Sequence, residues 1–244
     1  MLLKFKKLLY VNRDDLALYA GVLGGVFLVT HIITFFAVKF SGEGSSLLLS
    51  GAILPVVAAL FLLITTGGHV QMTYLHALRM GQTRKRAFTL SASIVLLEGA
   101  AAMTFAALLT LLERAFAPSF WMWLAGAKEV AIGRENILVY PEGYVRGDTT
   151  LLAIEDFTLA WYWWPLLLLG GIALGLIVGA VTQRFGSRGV SFLWAVYFTA
   201  IIGWNALPWR THEVTNVLIP ALVVLVAAGF IWSVWSLLRA VVKQ

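Results

Sequence analysis

The chain has no cysteine, and only 12% of its 244 residues are charged. The first absence excludes disulfides, thiolate-bound metals and cysteine nucleophiles. The second sets the chain apart from soluble domains, where charged residues make up about 25%. Catalytic signatures are missing as well. Gly67-Gly68 and Gly170-Gly171 are not followed by the Lys-Ser/Thr that completes a phosphate-binding loop. No Gly-x-Ser-x-Gly or His-Glu-x-x-His occurs. Glu155 and Asp156 are adjacent and point to different sides, with no histidine or nucleophile close by. His69 and His76 share a helix face but lack a third ligand, so no metal site is expected. No internal repeat is visible. The chain is therefore not expected to be an enzyme, and no cofactor is expected within it. The first apolar run is full-length, without a short core and small-residue cleavage pattern, so it reads as a span and not a leader.

What the chain has in quantity is apolar sequence, 60% of its residues. Six runs approach or exceed the ~20 residues that a helix needs to cross a ~30 Å hydrocarbon core. They are Leu16–Val38, Leu47–Gly68, Phe88–Leu112, Leu159–Val181, Val190–Leu207 and Val217–Leu238. Lipid offers no partners to backbone amides, so helix is the expected form. The expected fold is an all-α integral membrane protein with six transmembrane helices, forming one domain over residues 1–244.

The formal net charge of +6 follows the topology. With the N-terminus inside, the inner side holds Lys4, Lys6, Lys7, Arg13, Arg79, Arg84, Lys85, Arg86, Arg184, Arg188, Arg239 and Lys243. The outer side holds Lys39, Arg114, Lys128, Arg134, Arg146 and Arg210. Seven acidic residues cluster from Glu113 to Asp156. This is the positive-inside pattern, and six spans put both termini in the cytoplasm. The lipid bilayer accounts for the surplus charge, so no nucleic-acid partner is expected.

Three polar segments interrupt the runs. In residues 1–15, Leu2, Phe5, Leu8 and Leu9 gather opposite Lys4, Lys6 and Lys7, which predicts an interfacial amphipathic helix. Residues 113–158 form a long extracellular segment, with Trp121 and Trp123 as interface anchors and room for a small lid. Gly203 to Pro220 is aromatic and sparsely charged, and is a candidate for re-entry into the bilayer. Residues 70–87 are the most informative. Val70, Tyr74, Leu75, Leu78 and Met80 have roughly helical spacing, Gly81 is a stop signal, and a basic turn follows. The spacing predicts a short cytoplasmic helix between spans two and three, whose apolar knobs Tyr74, Leu75 and Leu78 fill a partner's groove. An ordinary positive-inside loop is the alternative.

The stretch Ala77-Leu78-Arg79-Met80-Gly81-Gln82-Thr83-Arg84-Lys85-Arg86 resembles the corresponding segment of bacterial ABC-exporter permeases of the short, six-helix, type-2 class. An amphipathic helix before the first span, six spans and a short fifth span are also similar to that family. The resemblance implies that this segment is a coupling helix docking on a separate ABC ATPase subunit. Tyr74, Leu75, Leu78, Arg79, Met80, Gly81, Thr83, Arg84 and Lys85 would be its contact residues. It implies ATP and Mg²⁺ in that partner, a second permease protomer in a homo- or heterodimer, and a bacterial cytoplasmic membrane location. The activity implied is export of a hydrophobic or amphipathic peptide, antibiotic or lipid. The outer segment is longer than in the plainest members.

Glu98 is the most conspicuous residue inside a span, because an ionisable group at mid-bilayer is expensive. It is expected to line a substrate pathway with His31, Ser91, Thr104, Trp161 and Trp164, or to hydrogen-bond a neighbouring helix through His31. On a helical wheel Ser91 and Thr104 fall within about 60° of Glu98. Gly170-Gly171, Gly175 and Gly179 suit close helix packing. Two further readings stand beside the permease: a non-transporting scaffold or sensor with a ligand-binding extracellular segment, and an intramembrane enzyme using Glu98 and His31.

Overall fold

The computed structural model describes residues 13–40, 45–133, 151–206 and 212–239. The interfacial helix expected at residues 1–15 falls almost wholly outside them, as do 134–150 of the outer segment and Pro208, Trp209 and Arg210. Apolar runs become helices: α1 (Arg13–Phe40), α2 (Ser50–His69), α4 (Arg84–Ala125), α5 (Trp163–Phe185), α6 (Ser187–Ala206) and α7 (His212–Arg239). A π-helical turn, Val70–Tyr74, and the short α3 (Leu75–Arg79) continue α2. Among the described residues, five helices are long and apolar enough to cross a membrane: α1, Ser50–Arg79 taken together, α4, α5, and Pro220–Arg239 within α7. The fifth run forms α6, which is 20 residues long.

Three findings correct the boundaries expected from sequence. The helix of the third run does not stop at Leu112; it continues to Ala125, so Trp121 and Trp123 are helical. The second run begins in a strand, β1 (Ser45–Leu48), and not in a helix. With β2 (Glu129–Gly133) and β3 (Leu151–Asp156) it forms a three-stranded parallel sheet in the order β1-β3-β2, so the described chain is not all-helical. Ser45 pairs with Ala153, and Glu129 with Leu151. The central strand is buried from Leu151 to Ile154, which accords with its unbroken apolar run Leu-Leu-Ala-Ile.

The chain divides into two compact units. The first comprises Met1–Ala59 and Glu98–Leu168. Its core joins Leu48, Leu152 and Ile154 of the sheet to Ala117 and Trp121 of α4. Helix α2 starts directly after β1, with Leu49 carbonyl accepting from Ile53 N–H at 2.9 Å. Pro55 has no N–H to give to the carbonyl of Gly51. That carbonyl instead accepts from Leu159 N–H at 3.2 Å. Arg114 holds the same strip by donating to Asp156 Oδ2 (2.5 Å) and Thr158 Oγ1 (3.0 Å).

The second unit comprises Leu60–Leu97 and Leu169–Gln244. Here the small residues of α5 do what their four-residue spacing predicts. A Cβ at Gly175 would lie 2.6 Å from the Leu63 carbonyl oxygen, and one at Gly179 would lie 2.7 Å from Val70 Cβ. Only glycine lets these backbones approach so closely. Gly175→Ala should therefore destabilise the protein by about 1–3 kcal/mol, the range for overpacking. Gly21→Ala, where nothing lies within 4 Å, should be neutral or slightly stabilising. Thermal unfolding in detergent micelles separates the two variants.

Candidate functional site

Two clusters carry the polar chemistry, one in each unit. In the second, the segment expected to be a free-standing coupling helix is instead the end of a continuous helical rod. The π-helical turn at Val70–Tyr74 carries the chain from α2 into α3 without a break. Tyr74 is 1% exposed, packs with Val70, Ala77, Leu176, Ala180 and Leu237, and donates its hydroxyl to the Leu237 carbonyl. Leu75 and Leu78 pack partly buried against the same cluster. The expectation that these three offer knobs to a partner is corrected for Tyr74 outright, and Leu75 and Leu78 are largely committed to this chain's own core. Apolar spacing reports burial without saying against what.

The residues that follow are exposed: Arg79, Met80, Gly81, Thr83, Arg84, Lys85 and Arg86. Their backbone is closely determined. Gly81 has φ +79° and ends α3 in a Schellman arrangement, with Gln82 N–H donating to Ala77 (3.1 Å) and Gly81 N–H to Leu78 (3.0 Å). Thr83 then caps α4, its Oγ1 3.4 Å from Arg86 N–H and its carbonyl accepting from Ala87 N–H at 2.9 Å. Three cations in the first turn of α4 oppose the helix dipole. Local stability does not explain them. Met72 and Met80 are 76% and 71% exposed. Sequence reasoning missed Met72, since it treated the segment as starting on one amphipathic face.

In the first unit, His31 of α1 meets Glu113 of α4. His31 Nε2 lies 3.7 Å from Glu113 Oε1, while Nδ1 is 2.8 Å from the Phe27 carbonyl. With Nδ1–H donating there, Nε2 is an acceptor in the neutral ring and a donor only in the imidazolium. It is buried without a hydrogen-bond partner. The carboxylate accepts from the Ser50 N–H, at 3.1 Å through Oε2. It thus satisfies a free amide at the start of α2 from another helix. The imidazole is stacked among rings, with centroids 4.1 Å from Phe27, 5.5 Å from Phe116 and 6.0 Å from Trp121. Beside it opens a cavity of about 490 Å³, walled on α1 by Leu28, Ile32, Phe35 and Phe36, and on α4 by Phe116, Phe120 and Trp121.

The expected pathway set is not one site. His31 faces Glu113 and not Glu98 as its carboxylate partner. Glu98 is fully buried and Ser91 is 6% exposed, but Thr104 lies on the exposed side of α4 and donates to Ala100 on its own helix at 2.7 Å. The polar stripe on that helix therefore has one buried pair and one outward member. Trp161 is 81% exposed and Trp164 is half-buried. Glu113 was legible only as the first residue past an apolar run; its partner Ser50 is 63 residues away.

Replacing Glu113 by alanine should leave the Ser50 amide without an acceptor and destabilise the protein by about 1–3 kcal/mol. Glu113→Gln, which retains a carbonyl oxygen, should cost less than half of that; denaturant titration of both variants gives the comparison. Comparison with protein-family models, with curated proteins and with solved structures finds no match for this chain.

Proposed function

We propose that this chain is the membrane-spanning permease subunit of an ATP-driven exporter, coupled to a separate ATPase through the turn Arg79–Arg86. The observation that supports it most is the construction of that turn. It is exposed and basic, closed by Gly81 and capped by Thr83, and it ends a rod held by buried Tyr74. A rigid projection of this kind transmits a push from a soluble partner, where a loose loop would absorb it. The contact residues are then Arg79, Met80, Gly81, Thr83, Arg84 and Lys85, with Met72 added and Tyr74 acting as anchor. Exposed methionines adapt to an apolar groove.

In this reading the chain crosses a bacterial cytoplasmic membrane six times, with α6 as the fifth span and both termini in the cytoplasm. A second protomer completes the pathway, and the cargo is hydrophobic or amphipathic. ATP and Mg²⁺ bind in the partner. Closure of the ATPase pair turns the permease by a rigid-body step.

The test combines sidedness and capture. The chain has no native cysteine, so a lone cysteine at Arg86 should react with an impermeant maleimide in inverted vesicles and not in intact cells. Co-expressed with the ATPase of its own gene neighbourhood, the chain should co-purify it in stoichiometric amount. Arg84→Glu with Met80→Asp should reduce capture about tenfold or more, equivalent to about 1.4 kcal/mol. Labelling of Arg86→Cys from outside, or capture indifferent to both substitutions, rules the proposal out.

A further inference from the structure

The cavity beside His31 is a groove along α1, and its dimensions match those of one membrane leaflet. Its walls on α1 run from Phe27 to Phe36, a rise of about 13 Å. One half of a ~30 Å hydrocarbon core is about 15 Å deep. The lining is apolar apart from the His31 ring, whose second nitrogen is buried. Leu28, Ile32, Phe35 and Phe36 remain exposed, so no described part of the chain fills the groove. At one end stands Lys39, exposed in the last turn of α1. It is three residues from Phe36 and four from Phe35, and so shares their face of the helix. Apolar depth ends where α1 ends, and a cation stands at that level.

We propose that this groove binds one acyl chain of an anionic phospholipid, with the headgroup phosphate at Lys39. The chain lies against Phe35, Phe36, Phe116 and Phe120, and the His31 ring forms the floor. Arg114, the neighbouring cation on α4, is spent on Asp156 and Thr158 and does not compete with Lys39 for the headgroup. Rings held by contacts within the chain present a preformed wall, which distinguishes this site from the looser apolar faces of α1 and α7. The site depends on α1 and α4 alone and does not rest on the ATPase reading.

The test uses the isolated full chain in phosphatidylcholine nanodiscs doped with a phosphatidylglycerol carrying a mid-chain diazirine, or with a phosphatidylcholine of identical tails. After irradiation, peptide mapping should put crosslinks from the anionic probe on residues 27–36 and 116–121. Its yield there should exceed that of the zwitterionic probe by about fivefold, the ratio equivalent to about 1 kcal/mol for one lysine near the membrane surface. Ile32→Trp, which fills the groove, should remove these crosslinks. Lys39→Glu, an exposed change that leaves the fold intact, should abolish the difference between probes while crosslinks persist. Crosslinks spread evenly over the exposed faces of α1 and α7, or equal yields from both probes on the unaltered chain, would overturn the proposal. Neither outcome bears on capture of an ATPase.

Discussion

The constraint on which this structure depends is that a backbone polar group released inside an apolar environment must find its partner within the chain. The sequence releases several. Pro55 frees the Gly51 carbonyl, which Leu159 N–H takes up. The start of α2 frees the Ser50 amide, which the Glu113 carboxylate takes up. The Leu237 carbonyl, near the end of α7, receives the Tyr74 hydroxyl. These contacts connect elements far apart in sequence. They make a carboxylic and a phenolic side chain structural, the phenolic one at a position where apolar spacing suggests a docking role.

The same constraint separates the two clusters in kind. At Arg79–Arg86 the backbone is satisfied locally, by a glycine that accepts a positive φ and a threonine that caps the next helix. The side chains are left free for something outside the chain. At His31 and Glu113 the side chains are consumed by the fold, and what remains available is an apolar concavity with a cation at its rim. One cluster suits a soluble partner with acidic or apolar contacts. The other suits a molecule already dissolved in the bilayer.

Much of this was legible in sequence, for identifiable reasons. Long apolar runs have few alternatives to helix, Gly81 and the basic residues after it mark a stop and a start, and Gly175 and Gly179 announce close packing. The sheet was not legible. Its strands are four to six residues long, and β1 and β3 lie more than a hundred residues apart. Ser45–Leu48 also runs into an apolar stretch that periodicity assigns to the helix behind it. The burial of Tyr74 escaped for a related reason: its apolar neighbours fit a partner's groove and an internal core equally well, and only tertiary packing decides. Glu98 drew attention through its cost in lipid, whereas Glu113, at the edge of a run, is the carboxylate that ties helices together in the first unit.

The π-helical turn at Val70–Tyr74 has a geometric consequence of its own. Such a turn holds one residue more than an α-helical turn, so the extra residue is absorbed by slacker winding and the rod leaves the turn on nearly the azimuth it would have without it. Deleting that residue and restoring regular winding would leave the tip's heading almost unchanged. Keeping all the residues and rewinding them as α-helix would instead swing the tip by about 100°. The bearing of the basic tip is thus set by how widely one turn is wound, with its composition untouched.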